Sequence, residues 1–316
     1  MRTYSIHFRW LPELLVALGL LIAMPFSIAQ THQMEAGFPD TVNFHQLELR
    51  QEVSWTKKLP AGFDVGLEEE LREVIYSPND DPAAYFSKCY TTLNVGYKML
   101  ALQSINTGYK YGLKLDLGYT LKFNAYSLQK ALDKDYSGAL AANECLQHRP
   151  YVSLSGSMNF GQWKLSLKET YRVNFRLDSV MVADKWNPAI RVAEKNPHLM
   201  EMKSRLRVDY SLLGKPIKFF CYGEATATLN EPDCPWINSE GKPLYGGQYL
   251  RSAKASVGVR WRIDQISTLS FSYVYYFKQD RDININGKNS SSKQNVELTM
   301  ERVHTHAIVI AYEINQ

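Results

Sequence analysis

From Gly112 to Phe123 the chain reads GLKLDLGYTLKF, and this stretch restricts the fold more than any other. Leu113, Leu115, Leu117, Tyr119, Leu121 and Phe123 alternate with Lys114, Asp116, Gly118, Thr120 and Lys122. A β-strand turns successive side chains to opposite faces, so one face here is wholly apolar and the other polar and charged. A helix would scatter both sets around its axis. The segment therefore predicts a strand between an apolar medium and a wet one, and that medium is either a sandwich core or lipid.

The pattern recurs along the chain. Period-2 segments run over 47–59, 63–76, 85–99, 109–127, 151–160, 162–178, 199–213, 217–230, 248–263, 268–280 and 296–314. Several exceed the roughly five or six residues usual in soluble sheets. They suit tilted strands crossing a bilayer, which need about nine to eleven residues. The connections sort by length as well. Pro60-Ala61-Gly62, Gly161, Leu213-Gly214-Lys215-Pro216 and Asp264-Gln265-Ile266 are tight turns. Residues 77–84, 128–150, 179–198, 231–247 and 281–295 form long polar loops. Short turns at one end and long loops at the other are the habit of outer-membrane barrels.

The compartment is read from the N-terminus. Arg2, His7 and Arg9 precede the apolar run Leu14–Phe26, and Ser27-Ile28-Ala29 is a small-x-small site before Gln30, so residues 1–29 read as a secretory signal peptide. After residue 26 no apolar run approaches the twenty residues of a membrane helix, and mean hydropathy is −0.31. Dyad alternation hides a lipid-facing surface from such an average. Residues 30–316 are expected to form one all-β domain, a transmembrane antiparallel up-and-down β-barrel in the bacterial outer membrane.

Eleven segments leave one terminus on the wrong side if the strand number must be even. The parity argument places a twelfth strand in Met34–Phe44, with ten strands as the fallback. Facing then assigns Leu113–Phe123, Trp163, Leu165, Leu167, Tyr171, Val173, Phe175 and Leu269, Phe271, Tyr273, Tyr275, Phe277 outward in alternate phase. The lumen receives Glu68, Glu70, Arg72, Lys114, Asp116, Lys122, Lys164, Asp209, Glu224, Arg260, Arg262 and a basic group, Lys168, Arg172, Arg176, Lys203, Arg205 and Arg207. Like charges opposite one another are destabilising, so the basic group needs carboxylates such as Asp209 and Glu201, hydration or an anionic ligand. Hydration implies a narrow pore for small anionic solutes; carboxylate pairing implies a closed structural barrel.

The runs GLEEELR (Gly66–Arg72), KSRLRVDY (Lys203–Tyr210) and ASVGVRWRI (Ala255–Ile263), with a closing strand carrying Tyr312, resemble the domain-of-unknown-function family numbered 2490. The resemblance implies an outer-membrane barrel and supplies no catalytic residues. The chain departs from many barrel proteins in ending Glu313-Ile314-Asn315-Gln316 instead of on an aromatic residue.

Other chemistries are weakly signalled. His304 and His306 share a face of the last segment, with Ser270 and Ser272 on the one before, which raises a barrel-embedded lipase or acyltransferase as the alternative reading. No nucleophile elbow accompanies them. No third or fourth ligand completes a metal site, so no cofactor is expected. Net charge is only +4 and the basic residues are dispersed, which with export argues against nucleic acid. In an oxidising envelope Cys145 and Cys234, both in long loops, are the favoured disulfide; Cys89 and Cys221 fall in lipid-facing phase, and four reduced thiols is the other reading.

Overall fold

The computed structural model describes residues 40–77, 84–104, 108–124, 146–175, 198–229, 249–286 and 295–316. They form eleven strands: β1 (Asp40–Lys58), β2 (Phe63–Tyr76), β3 (Tyr85–Gln103), β4 (Lys110–Asn124), β5 (Leu146–Phe160), β6 (Trp163–Phe175), β7 (His198–Ser211), β8 (Ile217–Thr228), β9 (Tyr249–Arg262), β10 (Ser267–Asn286) and β11 (Asn295–Asn315). Each pairs with its neighbour in sequence, and β1 with β11 closes the sheet into a barrel. GLKLDLGYTLKF lies wholly within β4 and is paired along its length with β3 on one side and β5 on the other.

The wall closes on an odd number of strands, between the ten and twelve of the parity argument. The physical solution is a parallel seam: β1 and β11 run in the same direction and pair from Asp40↔Thr299 to Thr56↔Asn315, while every other pair is antiparallel. Asp40–Phe44 extends β1, so this part of Met34–Phe44 makes no strand of its own; the residues before Asp40 lie outside the described region, as does the whole signal segment.

Following hydrogen-bonded partners once around the wall, from Lys58 to Asp64, Gly96, Asp116 and onward through Lys203, Lys278 and Val303, returns to β1 at Phe44, fourteen residues before Lys58. For eleven strands, a rise of about 3.3 Å and a spacing of about 4.8 Å, that stagger gives a tilt of about 40° and a backbone radius of about 11 Å. Side chains from such a wall partly fill the interior. They do not meet at the axis everywhere.

Antiparallel alternation brings the tight turns to one end and the long connections to the other. At the tight end Gly161 adopts φ 61° in a two-residue hairpin between Phe160 and Trp163, a left-handed conformation that glycine adopts without strain. β5 starts earlier than the sequence pattern implies and includes Pro150, opposite Tyr119 on β4. Proline has no N–H to donate, and the β5–β6 register has a gap between His148↔Phe175 and Tyr151↔Arg172 that contains it.

The two faces differ as alternation requires. Leu117 is 57% exposed on the outside, whereas adjacent Asp116 is 4% exposed and faces in. Leu67, Leu71, Leu93, Val95, Leu206, Val257, Phe271, Ile308 and Ile310 continue the exposed apolar surface around the barrel. Near the tight turns it carries the ring pairs Phe63–Tyr97 and Trp163–Tyr210, each with centroids 4.7 Å apart. Towards the other end lie Tyr273, 2.6 Å from His306, Tyr275, 2.7 Å from His304, and Tyr119 hydrogen-bonded to His148. From Trp163 to Tyr171 is eight residues, which at about 3.3 Å each and about 40° tilt spans about 20 Å along the barrel axis, close to the height of a membrane barrel's apolar band.

Candidate functional site

The inward phase encloses a cavity of about 640 Å³. At about 30 Å³ per molecule this holds on the order of twenty waters. Its lining runs from Arg207, Arg260 and Glu313 near the tight turns to Lys88, Lys122 and Lys278 near the opposite end, and among the described residues includes fourteen Arg and Lys against seven Glu. The basic excess among the described lining residues, offset in part by Asp116 and Asp209 beside Lys168 and Arg207, favours negative solutes.

The charges are not mixed evenly. β1 and β2 contribute four of the seven carboxylates, Glu48, Glu52, Glu68 and Glu70. In a ring of eleven strands these two lie across the lumen from β7, and Glu68 is within electrostatic reach of Arg205, Lys203 and Lys168. One wall is therefore acidic and the facing wall basic. Within the acidic wall Arg50 bonds Glu48 at 2.7 Å, with 1% and 2% exposure, and Arg72 bonds Glu70 at 2.6 Å. Gln46 bridges Glu48 to Thr305, donating at 2.9 Å or 2.8 Å, and so ties the charged pair across the parallel seam.

Of the basic group read from the sequence, Lys168, Arg172, Lys203, Arg205 and Arg207 all line this cavity; Arg176 lies outside the described residues. Lys168 stands directly opposite Arg205 in the β6–β7 register, the juxtaposition that needs an offset. Carboxylates supply it. Arg172 pairs with Glu201, Arg205 with Glu224 at 2.5 Å, Arg207 with Asp209 at 2.8 Å, Lys203 with Glu224 at 3.6 Å and Lys168 with Asp116 at 3.9 Å. Glu201 also holds Arg251 at 2.6 Å. These pairs run within a strand or between nearby strands. They line the wall and leave the cavity between walls.

Alternation had placed Lys122 in the lumen, but Lys88 and Arg149 beside it were not read from the sequence. Lys88 on β3, Lys122 on β4 and Arg149 on β5 line the cavity near the long-loop end, and among the described residues none has a carboxylate within 4 Å. Lys88 shares the polar phase of Tyr90 and Thr92, a signal present in the sequence. Arg149 was concealed by Pro150, which made its segment look like loop.

His304 and His306 project from the outer face of β11, whereas Ser270 and Ser272 line the lumen. The barrel wall separates them, so these residues do not assemble a Ser–His pair. His45 stacks on His304 with centroids 4.8 Å apart, and no group of three metal-ligating side chains forms among the described residues. Cys89 and Cys221 are unbridged, Cys221 exposed; Cys145 and Cys234 lie outside the described residues.

No protein-family model matches the chain, and no curated protein matches it. Solved structures with a similar barrel include one described as a NanC porin in a rhombohedral crystal form, 11% identical, covering 72% of this chain and 84% of that one with a TM-score of 0.38. Another is the β domain of the Bordetella autotransporter BrkA, 13% identical, covering 81% and 85% with a TM-score of 0.32.

Proposed function

We propose that this chain is an outer-membrane β-barrel whose narrow hydrated lumen passes small solutes with a preference for anions. The observation that carries this reading is the cavity of about 640 Å³ whose described lining holds fourteen cations and seven carboxylates. Charged side chains in that number keep water, and a wet lumen inside an apolar exterior is the arrangement of a membrane pore. The exposed belt of Leu, Val, Ile, Phe and Tyr around the outside supports insertion in lipid. The acidic and basic walls act on the solute together. A field across the lumen orients a dipolar solute, and the net positive charge raises the local concentration of anions.

The test is reversal potential in a planar bilayer under a KCl gradient, with the refolded chain first shown to change gel mobility on boiling. Anion preference is the expected result. A folded, heat-modifiable barrel without conductance would reject the pore and leave a structural envelope protein. Recovery of the protein from cells wholly in the soluble periplasm would reject the membrane location as well.

A further inference from the structure

We infer that Lys88, Lys122 and Arg149 form a binding subsite for a phosphate-class oxyanion inside the lumen near its long-loop end. The inference rests on the hydrated lumen proposed above and names the ligand chemistry of one part of it.

Among the described residues no carboxylate forms an ion pair with any of these three cations. The three cations come from three consecutive strands. Tyr90 of β3 is opposite Lys122 of β4, and Lys122 is opposite Gln147 of β5, two residues from Arg149. Lys122 lies within electrostatic reach of Arg149, Lys88, Lys278 and Arg251. Clustered cations repel, and repulsion in a confined lumen is screened less than in bulk solution. Among the described residues Glu48 acts on Lys88 and Glu201 on Arg149. Both are committed elsewhere. Glu48 takes Arg50 on Oε2 and Gln46 on Oε1, and Glu201 takes Arg172 on Oε2 and Arg251 on Oε1.

The hydrogen-bonding capacity points the same way. Gln147 Oε1 accepts from Arg149 Nη2 at 2.7 Å and more weakly from Lys122 Nζ at 3.5 Å, which holds both head groups beside one amide. Arg149 Nε is buried and has no protein acceptor among the described residues. Arg149 also lies over the Tyr90 ring, 5.8 Å from its centroid, which fixes the plane of the guanidinium. A planar donor with a free N–H, flanked by two ammonium groups, matches an anion with several oxygens and more than one negative charge. Chloride offers one charge and no directed acceptors. A phosphate dianion offers both.

The experiment is isothermal titration of the refolded full chain in detergent with inorganic pyrophosphate, and in parallel with chloride and inorganic phosphate. Saturable pyrophosphate binding near one per barrel, weakened about tenfold or more by Lys122→Met and by Arg149→Met, is the expected result. Lys215→Met, in the exposed β7–β8 turn, removes the same charge far from the subsite and should leave affinity within about twofold. Heat-dependent gel mobility of each variant excludes misfolding as the cause. Absence of saturable binding, or equal loss from all three variants, overturns the subsite. Titration in detergent needs no conductance, so a protein that conducts without binding pyrophosphate loses the subsite and keeps the pore. One that binds without conducting loses the pore and keeps the subsite as an anion pocket.

Discussion

Glu201 holds two cations that line the lumen, and Glu201→Gln separates stability from selectivity. Its two oxygens serve Arg172 and Arg251, on the strand before it and on β9 beyond β8, while its own exposure is 4%. Amidation removes the negative charge and keeps the shape and one acceptor oxygen. Losing one partner from a buried ion pair costs about 3 to 5 kcal/mol. Glu201 serves two cations, which argues for the upper end, but Arg172 and Arg251 are 22% and 19% exposed to the lumen and rehydrate in part. The retained amide oxygen also accepts one hydrogen bond. The balance is a loss of about 3 kcal/mol, measured as a shift in urea midpoint for the barrel refolded in lipid vesicles. In a bilayer the same variant should show stronger anion preference, because the lumen gains one net positive charge. A loss under about 1 kcal/mol with an unchanged reversal potential would refute the claim that Glu201 organises this wall.

Leu117→Arg, midway along β4 and 57% exposed, should destabilise refolding into lipid by about 2 to 4 kcal/mol, whereas Thr120→Arg on the lumenal side should cost under about 1 kcal/mol; equal tolerance would show the faces are misassigned. Gly118→Val should cost about 1 to 3 kcal/mol, since any β-carbon there collides with the Tyr151 ring across the strand pair, and adding Tyr151→Ala should recover part of that loss in the same unfolding assay. Asp264, in the β9–β10 turn, accepts from the Ile266 and Ser267 amides at 2.8 and 2.6 Å, which holds its carboxyl below its ordinary value. Its contribution is therefore present above the unfolded pKa and lost as pH falls through the folded one, so the Asp264→Asn difference in stability should be flat from pH 6 to 8 and shrink only on acidification below about pH 4.

The wall was legible because its signal is local. Each segment such as Leu113–Phe123 or Leu269–Phe277 declares its two faces without reference to any other part of the chain, and the strand ends mostly agree to within a few residues. The closure was not legible, because pairing β1 with β11 joins residues as distant as His45 and His304, and no local pattern states whether two ends run parallel. The site divides in the same way. That Arg172, Arg205 and Arg207 face inward follows from alternation; that their partners are Glu201, Glu224 and Asp209 depends on the register between β6, β7 and β8. Arg149 failed the local test altogether, since Pro150 breaks the donor pattern that marks a strand.

Whole-chain charge was the least informative quantity of all. A net +4 spread over 316 residues argues against any strong electrostatic preference. The described residues of the cavity lining alone carry fourteen cations and seven carboxylates, an excess of seven that is larger than the total, so the remainder of the chain is net acidic. Alternation produces this separation. In a barrel every second residue is withheld from the exterior, so a strand such as Leu199–Tyr210 concentrates Lys203, Arg205 and Arg207 on one side while its other face shows Met202, Leu206 and Val208. What a solute meets is set by the inward phase, and the charge of a barrel has to be counted phase by phase before it says anything about what the lumen attracts.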